Sequence, residues 1–366
     1  MKILFYALTQ SQGGIENFIY TYYSYMSDLE MDFIGIGQNV VYEKQLKERG
    51  VKIFHLGDKH SDRKSYYKEM EEILKQGDYD TLWFNDNNLC DVQLLKYAGK
   101  HRIPRIICHS HGASLTAGPL HKIRHYMNRS IVFRYATDYW ACSEKAAKWA
   151  FGKKWKKIGG RIIFNAIEVT KYHPDNSIRQ QVRTLYKLED KYVIGHVGRF
   201  CKEKNHKFLL EAFKEFHMLC ENSILLLVGN GELEQEIKEY AKELKLKESV
   251  LFLGQRSNVS EILQSIDLFL VPSLCEGLCI AAVEAQAAGV PCIVSDAVPK
   301  EVKLTEQIQY LKLADGPKAW AESMQECRSG DRQAMYQMIL DGPYNVENAA
   351  ETLEKMLLRK DNEKRD

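Results

Sequence analysis

The sequence predicts an α/β protein built from two parallel-sheet domains of similar size, and three observations support this. The chain has 366 residues, more than one ordinary hydrophobic core uses. Short β-rich runs alternate with longer helical patterns in the first half, and the same alternation restarts in the second half. A polar, proline-containing stretch over residues 166–185 separates the two series. We therefore expect the domain junction within that stretch.

The elements of the first half follow one another in a regular order. KILFYAL is followed by IENFIYTYYSYM, DFIGIG by YEKQLKERG, and TLWFND by LCDVQLLKYAGK, before RIICHSHG. Each pair joins a β-rich run to a helical pattern, as in β-α-β units. Because parallel strands end on the same edge of a sheet, residues 7–9 and 108–110 should share a rim where ligands bind.

The second half repeats this order. YVIGHVG precedes NHKFLLEAFKEFHML, SILLLVG precedes ELEQEIKEYAKELK, and VLFLG precedes VSEILQS. DLFLVPS then leads to LCIAAVEAQAAG, which predicts a buried helix over 278–289 because it is apolar on nearly every face, and PCIVSD follows. A last helical pattern, PYNVENAAETLEKMLLRK, has Asn345 as a candidate N-cap, and the tail KDNEKRD should fray.

Composition and charge exclude several classes of protein. With 45% hydrophobic and 27% charged residues the chain resembles a soluble globular protein, and its net charge of +2 argues against a general nucleic-acid binder. The N-terminus lacks a signal-peptide pattern, and no apolar run approaches the roughly 20 residues that span a bilayer. Nine cysteines without a C-x-x-C pair favour reduced thiols in a cytoplasm and no zinc site.

Two loops carry features that suit an anionic ligand. Gly13 and Gly14 precede the first helical pattern, where backbone N–H groups and the helix dipole can reach an anion, although a simple tight turn is the alternative. The loop after YVIGHVG holds Arg199, Lys202 and Lys204. Fixed cations at a strand end suit a diphosphate, because arginine can hold two oxygens and lysine supplies a compact charge. Ordinary solvated side chains are the alternative.

Polar residues also follow other predicted strands. The segment 229–231 reads Gly-Asn-Gly, and a turn into the next helix is the favoured interpretation of Asn230. His109 and His111 end the strand pattern RIICHSHG, where they point to the same side of the chain. A histidine at a strand end can bind a sugar hydroxyl or a developing charge, and this interpretation is favoured for His111. A packed core histidine is the favoured interpretation of His109.

Glu284 is a carboxylate inside the predicted buried helix. Burying it without partners would cost several kcal/mol, so it needs hydrogen-bond donors, which a sugar diol or an arginine would supply. Glu276 lies eight residues earlier at the entrance to the helix, where the N–H groups of Gly277 and Leu278 can also bind oxygen atoms. A buried salt bridge for Glu284 and a surface position for Glu276 are the alternative.

The E-x7-E pair in CEGLCIAAVEAQAAGVPCIVSD resembles the signature of the retaining GT-B glycosyltransferases of the GT4 type, the glycosyltransferase group 1 family. GGIENF, HVGRFCKEKNHKFLLEAF, ACSE, NAIEVTKYHP and FLGQRSNVSEILQSIDLFLVPS occur in the same order as in that family. The resemblance covers residues 2 to about 300 and extends more loosely to 357. It implies two Rossmann-like domains facing across a cleft, with the last helix crossing back to the first domain. The domains would be 1–172 with 343–366, on the acceptor side, and 173–342, on the donor side.

The resemblance also implies roles for particular residues. Arg199 and Lys204 would neutralise the donor diphosphate in place of a metal, and Gly13 and Gly14 would offer N–H groups to the same phosphates. Glu284 would bind the ribose hydroxyls.

Around the transferred sugar, Glu276 and the backbone of Gly277, Leu278 and Cys279 would hold its hydroxyls. His111 would lie near the sugar and the incoming acceptor hydroxyl. Gln255 and Arg256 would contact the base. In retaining members of the family the leaving phosphate can take the acceptor proton, so no dedicated base is nominated. Many relatives carry a bulkier residue and then glycine or proline after the Glu-Gly pair, where this chain has Leu278 and Cys279, which leaves the choice of donor open.

The implied activity is that of a cytoplasmic, metal-independent hexosyltransferase of polysaccharide, capsule or glycolipid assembly. It would use a nucleotide sugar, with UDP as the favoured nucleotide, and a saccharide or lipid-linked saccharide acceptor. A GT-B epimerase or hydrolase, and a non-catalytic nucleotide-sugar-binding module, are the alternatives. A dinucleotide dehydrogenase is disfavoured because G-x-G-x-x-G is missing.

Basic and aromatic residues concentrate in HKIRHYMNRSIVFRYATDYW and KWAFGKKWKK. Such segments can rest on an anionic membrane surface, where a lipid-linked acceptor would be found and where the protein would be peripheral. Ordinary solvated faces with aromatic core residues are the alternative. The cations are Lys122, Arg124, Arg129, Arg134, Lys153, Lys154, Lys156 and Lys157.

Overall fold

The computed structural model describes residues 1–10, 13–112, 118–328 and 330–358. It divides into two compact units, one of Met1–Ala166 and Val346–Asp366 and the other of Ile167–Asn345. The sequence placed the two junctions at 172/173 and 342/343. The chain therefore leaves the first unit at the beginning of the polar stretch between the two series of elements.

The first unit is organised around a parallel sheet. Its strands in the described residues are β1 (Lys2–Leu8), β2 (Glu30–Ile36), β3 (Ile53–Leu56), β4 (Thr81–Asp86), β5 (Arg105–Ser110), β6 (Asp138–Ala141) and β7 (Arg161–Ile162). They lie in the order β3-β2-β1-β4-β5-β6-β7, and each neighbouring pair is parallel. Strand order reverses between β1 and β4, so these two strands form the switch point of the sheet.

Helices connect these strands. In the described residues they are α1 (Gly14–Ser24), α2 (Glu43–Glu48), α3 (Arg63–Gln76), α4 (Gln93–Lys100), α5 (Pro119–Tyr135) and α6 (Glu144–Phe151). Local signals explain some of the helix starts. The Asp62 side chain accepts from the backbone of Lys64 and Ser65 at the start of α3, and Ser143 accepts from Ala146 N at the start of α6. Without such caps the first N–H groups of a helix lack partners.

The second unit contains another parallel sheet. Its strands in the described residues are β8 (Tyr192–Val197), β9 (Ser223–Val228), β10 (Val250–Gly254), β11 (Leu268–Val271), β12 (Cys292–Ser295) and β13 (Ile308–Leu311). They lie in the order β10-β9-β8-β11-β12-β13, again with parallel neighbours. Here the order reverses between β8 and β11. Both sheets therefore have the Rossmann-like arrangement that the sequence predicted, and the α/β fold class is confirmed.

The helices of the second unit cover this sheet. In the described residues they are α7 (Asn176–Leu185), α8 (His206–Leu219), α9 (Glu234–Glu243), α10 (Val259–Gln264), α11 (Ile280–Ala287), α12 (Gly316–Glu326) and α13 (Arg332–Leu340). β9 is buried at every position, as expected for a central strand of a sheet with helices on both faces. Helix α8 packs Leu209, Leu210 and Phe213 into the core of the unit, close to Trp320 of α12.

The last helix, α14 (Val346–Leu358), packs in the first unit and confirms the predicted return of the chain. It begins directly after Asn345 and buries Val346 and Leu353 in the core around β1. The Arg105 guanidinium donates to the carbonyl groups of Met356 and Leu357 at 3.0 and 2.9 Å. A cation at the C-terminal end of a helix also complements the helix dipole. In the described part of the chain, no helix has the length and apolarity needed to cross a bilayer.

Candidate active site

Two loops leave the second sheet side by side at its switch point. β8 and β11 are neighbours, with Ile194 opposite Leu268, and each strand is followed by a loop at its carboxyl end. Leu274 N donates to Glu203 O at 2.7 Å and joins the two loops. This contact brings together segments that lie about seventy residues apart in the sequence. Ligands of open α/β sheets bind at this kind of position.

Lys204 and Glu276 form an ion pair between these loops. Lys204 Nζ donates to Glu276 Oε1 at 2.7 Å, and the Ser273 hydroxyl donates to the same oxygen at 2.6 Å. Glu276 is only 8% exposed, so the sequence alternative of a surface carboxylate is wrong. Within the described residues Oε2 of Glu276 accepts no hydrogen bond, and a lysine ammonium has three donors, of which Glu276 uses one. The pair can therefore offer both a cation and a carboxylate oxygen to a ligand.

The two predicted phosphate-binding cations differ in their surroundings. Burial by itself would lower the pKa of Lys204, but the adjacent Glu276 carboxylate more than compensates, and the net pKa is raised. Lys204 is therefore charged at neutral pH. Arg199 is exposed and pairs with Glu232 at 3.1 Å. Because an exposed ion pair of this type is weak, the guanidinium can exchange Glu232 for another anion.

The loop after β8 is supported by the Gly-Asn-Gly segment after β9. Phe200 N donates to Asn230 O at 2.8 Å. A Cβ atom at Gly229 would lie 2.1 Å from Gly198 O, and one at Gly231 would lie 2.5 Å from Phe200 O. Only glycine permits this close approach of two backbones. The segment leads into a turn at Glu232 and Leu233, two residues after the Asn230 position that the sequence favoured as a turn, and it supports the loop that carries Arg199.

Gln255 and Arg256 lie on the exposed loop after β10. Gln255 Oε1 accepts from the Asn230 side chain at 2.9 Å, and Arg256 Nε donates to Leu253 O at 2.9 Å. The first contact connects this loop to the Gly-Asn-Gly segment after β9. Their contact with a nucleotide base stays a prediction.

The helix that contains Glu284 begins at Ile280, two residues later than predicted. Cys279 precedes it with φ of 82°, in the left-handed region. This conformation costs about 1–2 kcal/mol for a residue with a Cβ atom, whereas glycine adopts it freely. Leu278 and Cys279 are buried, and they contribute to the loop that leads into α11 rather than to the helix itself. Strained backbone of this kind is often found at ligand sites.

Glu284 has a different partner from the two that the sequence suggested. Its Oε1 accepts a hydrogen bond from the Tyr172 hydroxyl at 2.7 Å, and the described residues contain no ion pair to it. Burial raises the pKa of Glu284, and the bond from Tyr172 opposes that rise. The sequence alternative of a buried salt bridge is therefore wrong. Oε2 accepts no hydrogen bond from the described residues, so it can still receive a ligand hydroxyl.

Two buried histidines beside the ion pair were missed in the sequence. His196 Nδ1 donates to Leu270 O at 2.8 Å, so Nε2 carries the lone pair, and a Cβ atom at Gly198 would lie 2.9 Å from it. The His206 ring lies 4.9 Å from the His196 ring and stacks on Phe200. Burial lowers the pKa of His196 to about 4 and that of His206 to about 2. Both rings are neutral at pH 7, so among these three side chains it is Lys204 that carries a positive charge.

A polar pocket of about 520 Å³ lies in the first unit at the switch point between β1 and β4. Its walls include carboxylates, amides and tyrosines, with Asn85 and Asp86 from the end of β4 among them. Lys59 also lines the pocket, but its ammonium group donates to the Asp91 carboxylate, so the charges of these two side chains balance. Tyr67 donates to the same carboxylate at 2.9 Å. The pocket is thus rich in acceptors for hydroxyl groups.

Asp86 is the most perturbed carboxyl group of this pocket. Burial raises its pKa to about 7, although the backbone N–H of Asn88 donates to Oδ1 at 3.1 Å and opposes the rise. Near neutral pH the group therefore exists in both protonation states. It can donate or accept a hydrogen bond, and the sequence analysis had not identified it. Its position as the last residue of β4 was the available signal.

Gly13 and Gly14 lie at the start of α1, as the sequence predicted, and both line this pocket. A Cβ atom at Gly14 would meet open space, so packing alone does not require glycine there. Glu16 in the first turn of α1 accepts from Thr9 N and Thr9 Oγ1 at 3.1 and 2.6 Å. The predicted contact of both glycines with a diphosphate stays a prediction.

His109 and His111 lie side by side at the end of β5, with ring centroids 4.1 Å apart. Asn85 donates to two backbone carbonyl groups through Nδ2, so its Oδ1 must accept from His111 Nε2 at 3.0 Å. Nδ1 of His111 is then the unprotonated nitrogen, and it is buried without a partner among the described residues. Burial lowers the pKa of His111 to about 3, so it acts as a neutral acceptor. His109 is fully buried, as favoured from the sequence.

The described residues contain neither a disulfide nor a cluster of metal ligands. All nine cysteines are free, including Cys275 and Cys279. Across the described residues, no group of three or more His, Cys, Asp or Glu side chains is arranged to hold a metal ion.

The segment with the Lys204–Glu276 pair matches a known family. Residues 177–329 match the family described as "Glycosyl transferases group 1". The match covers less than half of the chain and lies within the second unit. It contains every donor-site residue that the sequence analysis named in the second unit, from Arg199 to Glu284.

Two curated relatives extend the comparison. The putative glycosyltransferase EpsF of Bacillus subtilis (strain 168) is 27% identical over 343 residues, which cover 90% of this chain and 88% of that protein. The UDP-Gal:alpha-D-GlcNAc-diphosphoundecaprenol alpha-1,3-galactosyltransferase of Escherichia coli is 34% identical over 141 residues, covering 37% of this chain and 36% of that protein. The first similarity spans nearly the whole chain, and the second spans about a third of each protein.

Solved structures share the fold. HepE of Anabaena in complex with UDP superimposes with a TM-score of 0.78 at 18% identity, covering 98% of this chain and 99% of HepE. WaaG, a glycosyltransferase involved in lipopolysaccharide biosynthesis, superimposes with a TM-score of 0.72 at 15% identity, and the match covers 98% of this chain and 100% of WaaG. At these identities the likeness establishes the fold, which is that of the GT-B glycosyltransferases.

Proposed function

We propose that the protein is a retaining glycosyltransferase that transfers a hexosyl group from a UDP-sugar to a saccharide or lipid-linked saccharide in polysaccharide or glycolipid assembly. The observation that carries the proposal is the shielded Lys204–Glu276 pair at the switch point of the second sheet, with Glu284 on the helix that follows. The group 1 match, the similarity to EpsF and the UDP bound in HepE support the donor class.

Departure of the nucleoside diphosphate is the step that the cations serve. The bond from the anomeric carbon to the phosphate oxygen breaks, and negative charge grows on the diphosphate. Lys204 keeps its proton at neutral pH and has two donors beyond the one that Glu276 uses, while Arg199 can exchange Glu232 for a phosphate oxygen. Preorganised cations of this type stabilise a developing anion, so the proposed mechanism requires no metal.

The two carboxylates serve the two sugars of the donor. Glu276 Oε2 accepts a hydrogen bond from a hydroxyl of the transferred hexose, while Oε1 retains its hydrogen bonds from Lys204 and Ser273. Glu284 Oε2 accepts a hydrogen bond from a ribose hydroxyl, while Oε1 retains its hydrogen bond from the Tyr172 hydroxyl. Each carboxylate thus has one oxygen fixed by the protein and one left for the ligand. Fixing the carboxylate beforehand reduces the entropy lost on binding.

The polar pocket of the first unit is the proposed acceptor site. Asp86 and Asn85 can receive hydroxyl groups of a saccharide, and acidic walls would repel an anionic acceptor. His111, which is neutral, accepts a hydrogen bond from a hydroxyl group through Nδ1. It positions the sugar or acceptor, and the leaving phosphate takes the acceptor proton.

A donor screen tests the proposal. The purified protein is incubated with UDP-, GDP- and ADP-sugars, with and without membrane extract, and release of the nucleoside diphosphate is measured together with the glycosylated product. We expect release from a UDP-sugar that depends on the extract, persists with a chelator, and gives a product with the anomeric configuration of the donor. An inverted product would reject retention, and loss of activity with chelator would reject metal independence.

Other outcomes separate the alternatives. Nucleotide release that never requires an acceptor and leaves no glycosylated product would indicate a hydrolase. A binding module predicts that Glu276→Ala leaves ligand binding and biological activity intact. The exposed Glu232→Ala variant is a matched control, because it removes a nearby carboxylate that is not assigned to the donor.

A further inference from the structure

Helix α5 in the first unit presents apolar side chains to solvent. Leu120, Ile123 and Met127 are 79%, 56% and 68% exposed, and their spacing of three and four residues places them on one face. The side chains of α5 that are fully buried are His125 and Val132, on the opposite face. A surface helix normally has the reverse pattern, with apolar residues inward and polar residues outward. This outward face therefore lacks a partner among the described residues.

The same part of the chain is strongly basic. Residues 118–160 contain ten lysines and arginines but two acidic residues, Asp138 and Glu144, although the whole chain has a net charge of only +2. Both acidic residues are already paired, Asp138 with Arg105 and Glu144 with Lys148 and Lys156. Six other cations of this segment are exposed and form no ion pair within the described residues, namely Lys122, Arg124, Arg134, Lys153, Lys154 and Lys157.

Exposed cations lie both on α5 and in the segment that follows α6, and Arg129 joins α5 to the end of α6. On α5 itself, Arg124 and Arg134 are exposed. Beyond α6, Lys153, Lys154 and Lys157 are exposed and have no acidic partner within the described residues. Arg129 has a different role, because its guanidinium donates to backbone carbonyl groups of α6, including Lys148 O at 3.3 Å. These hydrogen bonds connect α5 to the helix that precedes Lys153, Lys154 and Lys157.

We infer that this surface, the outward face of α5 together with Lys153, Lys154 and Lys157, binds an anionic lipid bilayer. The apolar side chains would enter the boundary between headgroups and acyl chains, and the exposed cations would meet anionic headgroups. The excess of positive charge favours lipid over a second copy of the chain, because two copies would bring like-charged surfaces together. Binding to lipid is independent of sugar transfer, so this inference and the proposed function can fail separately.

Vesicle sedimentation with the full chain tests the inference. We expect binding to vesicles of phosphatidylcholine mixed with phosphatidylglycerol, little binding to phosphatidylcholine alone, and release by high salt. The variant L120S/I123S/M127S should bind at least roughly tenfold more weakly. The variant K153Q/K154Q/K157Q should also bind more weakly and should lose much of the salt dependence.

The second unit supplies a matched control. Leu185, Met218 and Met338 are 70%, 61% and 54% exposed, and the variant L185S/M218S/M338S should bind vesicles as the wild type does. Thermal unfolding of each variant checks that the fold is retained. Absence of binding to phosphatidylglycerol vesicles, or an equal loss in the control variant, would overturn the inference. So would a concentration-dependent dimer that disappears in L120S/I123S/M127S, since a second copy would then cover the face.

Discussion

The Lys204–Glu276 pair permits a test that separates support of the fold from binding of the donor. Neutralising one member, as in Lys204→Met or Glu276→Gln, leaves the other without its partner in a poorly hydrated place. Removing one member of a buried pair costs about 3 kcal/mol or somewhat more. The double variant leaves no unpaired charge. If the effects were additive it would lose about 6 kcal/mol, but we expect a loss of about 3 kcal/mol or less, a coupling of about 3 kcal/mol.

The assay is urea unfolding of the wild type, both single variants and the double variant, under conditions where unfolding is reversible. Ser273→Ala is a control, because it removes a hydrogen bond to Glu276 but no charge, and it should cost about 1 kcal/mol. Additive losses in the double variant would refute the reasoning, because they would show that the two charges do not stabilise one another in the folded chain.

The same variants address catalysis. If Lys204 stabilises the leaving diphosphate, the folded double variant should still release nucleotide at least about 100-fold more slowly than the wild type. Lys204→Ala should likewise abolish measurable turnover. Near-normal rates in a variant without Lys204 would restrict this side chain to holding Glu276.

Three further predictions follow from single contacts. Glu284→Gln should weaken donor binding by about tenfold in calorimetry, while Tyr172→Phe, which keeps the carboxylate, should change it less; an unchanged affinity in Glu284→Gln would leave that residue a structural role. Cys279→Gly should be about 1 kcal/mol more stable to urea than Cys279→Ala, because only glycine relieves the φ of 82°; equal stabilities would contradict the strain. Asp86 holds its proton to about pH 7 in the folded chain, against 3.8 ordinarily, so its contribution to stability is present below about pH 4 and is lost as the pH rises to about 7. Asp86→Asn should lack this loss, which we put at about 2 kcal/mol after allowing for partial exposure, and the same decline in both proteins would refute the assignment.

The alternation of elements could be predicted because it depends on local patterns. SILLLV is an uninterrupted apolar run and became a central strand, and the period of NHKFLLEAFKEFHML placed α8 within one residue. Helix starts were less predictable where backbone geometry rather than hydrophobicity decided them. Leu278 and Cys279 continue an apolar run, but the left-handed conformation of Cys279 delays α11 to Ile280.

Partners of the candidate residues were harder to predict. The sequence singled out Glu284 correctly as a carboxylate that needs a hydrogen-bond donor, but it could not identify Tyr172, more than a hundred residues away. Asp86 was not singled out, because nothing local distinguishes an aspartate at a strand end that is solvated from one that is buried. Its raised pKa results from the packing around it.

By itself, the sequence determined the class of fold, the two series of elements and the motifs that resemble one family, because hydrophobic period and residue order are properties of the linear chain. Only the tertiary structure decided which distant groups meet. The order of strands in the second sheet sets β8 beside β11 and so joins Lys204 to Glu276. Packing also decided which side of α5 faces outward. Both depend on contacts between residues far apart in the chain, and a local pattern does not encode such contacts.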